Sequence, residues 1–274
     1  MKLNWKSAKP RVAYVTGAAS GIGFGLSNRL LELGISVAAF DLEFGENTKS
    51  KLADSGKASA TVRFYTCDIT ETAQLEQVIK EAKEELGTPD LVINSAGIAA
   101  CEPAENLSTE LFNRVVDVNL KGSWNVVKAV LPHMERGGHI ALISSLAGHV
   151  PNFGYSAYCA SKFGVSGLAQ VLQLELPARG IDVTVVSPGT IQTPLVGTNH
   201  INRPTISERL RNLAGTLPLE RAVDLILGGL SRRKKTIVPG TLAKAIALAN
   251  SVFPGLFRVV ARFLLVRISK NNAS

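Results

Sequence analysis

Short, uniformly apolar runs alternate along this chain with longer stretches in which apolar residues recur every three or four positions. Val12-Ala13-Tyr14-Val15, Val37-Ala38-Ala39-Phe40, Leu91-Val92-Ile93, Ile140-Ala141-Leu142-Ile143 and Val183-Thr184-Val185-Val186 are such runs. Apolar runs of this length read as strands buried on both faces, and the spaced patterns between them, such as Ile22 to Leu33, read as helices. The predicted strands fall near residues 12–16, 36–41, 61–67, 90–94, 139–144, 182–187 and 236–239. Strand and helix in alternation predict an α/β domain built on a doubly wound parallel sheet of about seven strands. No linker, repeat or low-complexity block interrupts the pattern, so residues 1–240 read as one domain and 241–274 as a C-terminal extension.

The first strand leads into Thr16-Gly17-Ala18-Ala19-Ser20-Gly21-Ile22-Gly23, and a helical pattern follows. Between strand and helix, glycines permit a tight turn, let the backbone approach a pyrophosphate, and set the anion at the helix N-terminus. The spacing is GxxxGxG, a loose fit to the general dinucleotide fingerprint, and alone it also suits a turn that only caps a helix. The second strand ends at Asp41, 24 residues beyond Gly17. A carboxylate there accepts hydrogen bonds from the adenosine ribose and repels a 2′-phosphate. Neither Ser20 nor the following Leu42 and Glu43 is basic, so the expected cofactor is NAD rather than NADP.

Tyr158 and Lys162 lie four apart in a helical pattern and so share a face. A phenol with its ordinary pKa of about 10 is a poor acid–base group at neutral pH. An adjacent ammonium favours the phenolate and draws that value down. Ser145, thirteen positions upstream, supplies a second hydroxyl for the same oxygen. The trio suits proton exchange with an alcohol or ketone oxygen. Alone, a Tyr and a Lys at this spacing are more simply a half-buried ring and a solvated cation; the glycine turn upstream changes that balance.

Together these segments resemble the short-chain dehydrogenase/reductase family over roughly Arg11 to Pro239. The family's TGxxxGxG falls on Thr16 to Gly23 and its YxxxK on Tyr158 and Lys162. The resemblance implies a Rossmann-like fold and an NAD-dependent oxidoreductase that interconverts a secondary alcohol and its ketone. It implies cofactor contacts from Gly17, Ser20, Gly21, Ile22, Gly23 and Asp41, and from Asp68 and Ile69 at the adenine. Asp68 also suits the start of the following helix. The NNAG turn appears as Asn94-Ser95-Ala96-Gly97, departing at Ser95, with Asn94 expected to brace the backbone. The family's catalytic Asn corresponds to Asn119 and its catalytic Ser to Ser145 rather than Ser144. Its PGxxxT segment is Pro188-Gly189-Thr190-Ile191-Gln192-Thr193, with Ile191 and Thr193 expected at the carboxamide. Tyr158 is then the general acid/base, Lys162 holds the nicotinamide ribose, and Asn119 supports a water chain. Family members commonly pair through their fourth and fifth helices, here near 108–135 and 156–178, so a homodimer or homotetramer is expected. An NADPH-dependent carbonyl reductase is the alternative that Asp41 disfavours. A non-catalytic NAD-sensing module is the alternative that the presence of Asn119, Ser145, Tyr158 and Lys162 disfavours.

Charge is distributed unevenly. From Ser231 to Ser274 there are nine Lys or Arg and no Asp or Glu, against 21 basic and 22 acidic residues before them. The whole net charge of +8 therefore resides in the C-terminal 44 residues, and the core has no electrostatic claim on nucleic acid. Apolar residues from Leu242 to Ile268 interleave with those cations, but the longest charge-free stretch, Ala245 to Phe257, is thirteen long and broken by Pro254-Gly255. A spanning helix needs about 20 apolar residues, so the tail does not span. Peripheral contact with a membrane surface fits its composition, as does a helix that packs in an oligomer or covers the substrate pocket. Nucleic acid is not an expected partner, since the tail lacks a polar, aromatic-interleaved face.

The long segment from Pro194 to Leu217 is rich in Leu, Val and Ile, Leu195 among them, and loops of this length commonly serve binding or gating. With His149 and Phe153, between Ser145 and Tyr158, it predicts a pocket for a bulky lipophilic alcohol or ketone, hydroxysteroid-like or long-chain. Three cysteines (Cys67, Cys101, Cys159) make no disulfide framework, the four His are scattered, and no metal is expected. Met1 to Lys9 lacks an apolar core for a secretory signal, so a cytoplasmic location is expected, peripheral at the inner face of a membrane if the tail docks.

Overall fold

The computed structural model describes residues 3–57, 59–193, 215–256, 259–260 and 262–263. Its framework is a seven-stranded parallel sheet in the order β3-β2-β1-β4-β5-β6-β9. The strands are β1 (Val12–Thr16), β2 (Ser36–Asp41), β3 (Val62–Thr66), β4 (Leu91–Asn94), β5 (His139–Ile143), β6 (Asp182–Val186) and β9 (Thr236–Ile237). Each predicted strand is present within a residue or two of its expected bounds. Two two-residue strands, β7 (Thr190–Ile191) and β8 (Thr216–Leu217), pair parallel outside the main sheet. One precedes and the other follows residues 194–214, and no sequence pattern announces them.

Strand alternation divides the core into two layers. Ala13 and Val15 of β1 face one side with Leu26, Leu30 and Leu31 of α1 (Gly21–Glu32) and Val223, Ile226 and Leu227 of α7 (Leu219–Leu230). Tyr14 faces the other side, packed with side chains of α3 (Thr72–Leu86), α5 (Gly122–Val130) and α6 (Ser156–Glu175). Helices on both faces explain why the strands read as continuous apolar runs. α2 (Glu46–Ser55) links β2 to β3, and α8 (Thr241–Val252) follows β9.

One helical rod runs from Thr109 to Val130, as α4 (Thr109–Val116), a π-helical turn (Asp117–Lys121) and α5. Ser108 caps it, its Oγ accepting from the Leu111 amide at 3.1 Å. The expected helix 108–135 is therefore shorter at its C-terminal end and carries an irregular turn at Asn119. The order of strands reverses between β1 and β4, so their carboxyl ends open a crevice at the switch point. Thr16, Asp41, Asn94 and the residues after Ile143 and Val186 all lie at that edge.

Candidate active site

The glycine turn joins β1 to α1 at this crevice. Gly17 has φ +67°, and a Cβ there would lie 2.7 Å from the Ala96 amide nitrogen. A Cβ on Gly23 would run into the Gly17 carbonyl, so the first turn of α1 folds back on the loop only with glycine at both places. Ser20 is the N-cap in extended conformation and its hydroxyl makes no capping bond, which leaves the amides of the first turn, Gly21 and Ile22 among them, to an anion. The Thr193 side chain stands 3.4 Å from where a Gly21 Cβ would be, so the segment after β6 closes over the glycine turn. This cradle, with Asp41 at its far end, fits a dinucleotide.

Asp41 does more than terminate β2. Its Oδ2 accepts from the Ala19 amide at 2.8 Å and its Oδ1 from the Leu42 amide at 2.8 Å. Burial pushes the carboxyl up, and these two amides oppose the shift. Asp68 accepts through Oδ1 from both the amide and the hydroxyl of Thr70 at 2.8 Å, which shapes the turn before α3. Asn125 donates Nδ2 to the Ile69 carbonyl at 3.0 Å, and the Ile69 side chain fills the space beside Gly122.

The turn after β4 is braced differently from expectation. Asn94 is buried, accepts from Thr16 Oγ1 at 2.6 Å and donates to Ser123 Oγ at 2.7 Å. The backbone amides of Ser95 and Ala96 donate instead to Thr16 Oγ1, both at 3.2 Å. Thr16 thus braces the turn directly and Asn94 holds Thr16. Gly97 passes between Asn119 Oδ1 and Lys162 Nζ, 3.0 and 3.4 Å from the position a Cβ would take.

At the end of β5 the two serines diverge. Ser144 turns inward, donating to the Lys162 carbonyl at 2.9 Å and meeting Ser166 Oγ at 2.8 Å. Ser145 is extended; its Oγ accepts from the Ala147 amide at 3.1 Å and donates to the Pro188 carbonyl at 3.5 Å. Lys162 Nζ donates to the Ile143 carbonyl at 3.0 Å and lies 5.7 Å from the Tyr158 ring centroid. Burial pushes the Tyr158 phenol up to about 12 and pushes Lys162 down to about 8. The expected lowering of the phenol by the ammonium is not among the causes of its shift: burial dominates, and only Ser145 opposes it. Asn119 is buried in the π turn; its Nδ2 donates to the Ile98 carbonyl and to Ser161 Oγ, both at 2.9 Å, and its Oδ1 accepts from the Ile98 amide at 2.8 Å.

A family model described as short chain dehydrogenase matches residues 11–203. The chain belongs to the short-chain dehydrogenase/reductase family. Its relatives include D-threitol dehydrogenase of Mycolicibacterium smegmatis, 36% identical over 187 residues that cover 68% of this chain and 72% of that protein. The 3-dehydrosphinganine reductase TSC10B of Arabidopsis thaliana is 30% identical over 248 residues, covering 89% of this chain and 74% of that protein. Among solved structures, a short chain dehydrogenase from Mycobacterium paratuberculosis bound to NAD superposes with a TM-score of 0.75 at 27% identity, over 85% of this chain and 98% of that one.

Within this family fold, the structure brings together the glycine turn, Asp41, Asn94, Gly97, Asn119, Ser145, Tyr158, Lys162 and Thr193. Pro188, Gly189 and Ile191 line the same edge: the Pro188 carbonyl accepts from the Leu146 amide at 2.7 Å, and Ile191 is buried in β7. His149, expected at the pocket, is half-buried and pairs its Nε2 with Ser187 Oγ at 2.8 Å. Phe153 is exposed beside the bridge between Glu102 and Tyr155, and Tyr155 meets Tyr158 edge-on at 5.9 Å. Leu195 and the rest of segment 194–214 lie outside the described residues, as do Phe257, Arg258, Ala261 and 264–274. Sequence reasoning missed Thr16, Ser123, Ser161 and Ser187, whose roles depend on which strands and helices become neighbours.

Proposed function

We propose that this oxidoreductase interconverts a lipophilic secondary alcohol and its ketone with NAD, using Tyr158 as the proton-transfer group. The placement of Lys162, buried one turn from Tyr158 with its Nζ 5.7 Å from the ring, together with Ser145 beside the glycine-turn crevice, is the observation that carries this reading. The nicotinamide ring, when bound, accepts or supplies the hydride. Ser145 and Tyr158 orient the substrate oxygen, and the proton moves between that oxygen and the Tyr158 hydroxyl. Lys162 supplies positive charge beside the phenol and a donor for a ribose hydroxyl. Asn119, fixed on both sides of Ile98, positions a water that replenishes the proton. Asp41 supports NAD over NADP, because a second anion beside a buried carboxylate is repelled.

For the substrate, the apolar composition of segment 194–217 supports a lipophilic molecule. Relatives named for D-threitol and for 3-dehydrosphinganine both point to alcohol–ketone chemistry while leaving polarity to the pocket. A homo-oligomer formed through the α4–α5 rod and α6 is supported by Trp124, Phe163 and Leu174, apolar side chains exposed on those helices. The test is NADH formation across a panel of secondary alcohols, polyols included, with NADP in parallel. Turnover with NAD on bulky apolar alcohols is expected. Turnover confined to polyols, or faster with NADP, would reject the substrate class or the cofactor respectively.

A further inference from the structure

The outward half of α8 departs from the usual pattern of a surface helix, which turns its apolar stripe to the core and its polar side chains to water. Its inward positions are Ala243, Ile246, Ala247 and Asn250, spaced three and four apart; Ala243 is buried and Asn250 donates to the His149 carbonyl at 2.8 Å. Its exposed positions are mostly apolar: Leu242, Ala245, Leu248, Ala249 and Val252, Leu248 to 65%, stand exposed with Thr241, Lys244 and Ser251 beside them. The pattern continues beyond the helix, with Phe253 exposed to 61% and Leu256, Val259 and Phe263 similarly. The described cations of this stretch, Lys244 and Arg262, are exposed, and no acidic side chain follows Asp224 in the sequence.

We propose that this face docks on an anionic phospholipid surface, with α8 lying in the interface and Lys244 and Arg262 at the headgroups. Three observations select that partner. The exposed side chains are mostly aliphatic and aromatic, so they require an apolar environment that a nucleic acid backbone does not provide. The charge of the stretch is uniformly positive, so pairing the face with a second copy of itself sets like charges together, whereas an anionic surface complements them. Among the described residues no helix is long and apolar enough to cross a membrane, so the contact is interfacial. Docking here also has a place in the fold: a Cβ on Gly189 would lie 3.3 Å from that of Ala243, and Asn250 holds the loop between Ser145 and Tyr158. The lipid-facing helix therefore adjoins the substrate side of the crevice.

Co-sedimentation of the full chain with vesicles tests this, using phosphatidylcholine alone and phosphatidylcholine mixed with phosphatidylglycerol. Binding to the mixed vesicles and not the neutral ones is expected, weakening as salt is raised. A cation near an anionic surface changes partitioning roughly fivefold, so Lys244→Gln with Arg262→Gln is expected to weaken binding roughly 25-fold. Leu248→Asp with Phe253→Asp is expected to abolish it while leaving circular dichroism and melting unchanged, since both side chains are exposed. Absence of binding to either vesicle overturns the proposal, as does equal, salt-insensitive binding to both. An oligomer that Leu248→Asp dissociates, without vesicle binding in the unmodified chain, also overturns it and makes the face a contact between copies. None of these readouts depends on chemistry at Tyr158.

Discussion

Tyr158 and Lys162 occupy one face of one helical turn, and burial drives both towards neutrality, the phenol up to about 12 and the ammonium down to about 8. A protonated phenol donates to a ketone without prior loss of its proton, whereas alcohol oxidation needs the phenolate. The rate constant kcat/KM reports groups in the free enzyme. For oxidation it is therefore expected to climb with pH through the neutral range, and for ketone reduction to stay flat there. Opposite slopes in steady-state kinetics would contradict the assignment of Tyr158. Tyr158→Phe is expected to lower turnover by about 10²–10⁴-fold, the usual contribution of a positioned acid–base group, with NAD binding by calorimetry nearly unchanged. Asp41 calls for a subtler substitution than alanine, because it also holds the Ala19 amide. Asp41→Asn keeps an acceptor for that amide and removes the charge, so NAD should weaken about tenfold while NADP improves. Unchanged affinities for both cofactors, measured by titration, would remove Asp41 from cofactor discrimination. Asp41 was legible because it ends a strand at a countable distance from Gly17. Thr16 was not, because its hydroxyl serves the Ser95 and Ala96 amides only once β1 and β4 pair with Thr16 opposite Asn94.

The π turn from Asp117 to Lys121 is the clearest irregularity in a regular element. Such turns frequently mark functional positions, and here the widened turn carries Asn119, whose side-chain amide replaces a strand-like partner for Ile98. Apolar periodicity over the rod shows a helix and cannot show this turn, since one extra residue shifts the pattern too little over so short a span. The same limit hid β7 and β8, whose two residues each carry no periodicity. The strands of the main sheet were legible because burial on both faces makes each a continuous apolar run. Asn119→Ala leaves the partly buried Ile98 amide without its acceptor. A loss of about 1–3 kcal/mol in urea unfolding is expected, together with reduced turnover. Asn119→Asp, which keeps the acceptor for Ile98 N–H, should recover more of the stability than of the turnover. Equal stability of Asn119→Ala and the unmodified chain would show that the π turn does not depend on this side chain.

Across the whole molecule, the candidate site lies at the carboxyl ends of the strands and a different polar cluster closes the opposite end. His139 opens β5 in the middle of the sheet, opposite Asp182 of β6. Thr184 donates its hydroxyl to the Lys234 carbonyl at 2.6 Å, so at 2.7 Å it accepts from His139 Nε2, which therefore carries the proton of a neutral ring. Arg233 caps the cluster, reaching the carbonyls of Gly137 and Gly138 and, at 2.8 Å, Asp182 Oδ2. Burial lowers the His139 pKa to about 4; the Arg233 charge adds to that and Asp182 opposes it. In the unfolded chain the ring returns to about 6.5, so between those values the unfolded state holds a proton that the folded state does not. Stability contributed by neutral His139 is complete above pH 6.5 or so and is lost as pH falls towards 4, by about 3 kcal/mol over the window. His149, whose pKa burial also lowers, adds to the slope in the same direction. A comparison with His139→Gln, which cannot titrate, isolates the His139 share. Urea unfolding at neutral pH and near the foot of the window should show the unmodified chain losing more stability than His139→Gln. Equal losses in the two proteins would place the acid sensitivity elsewhere and leave His139 a packing residue.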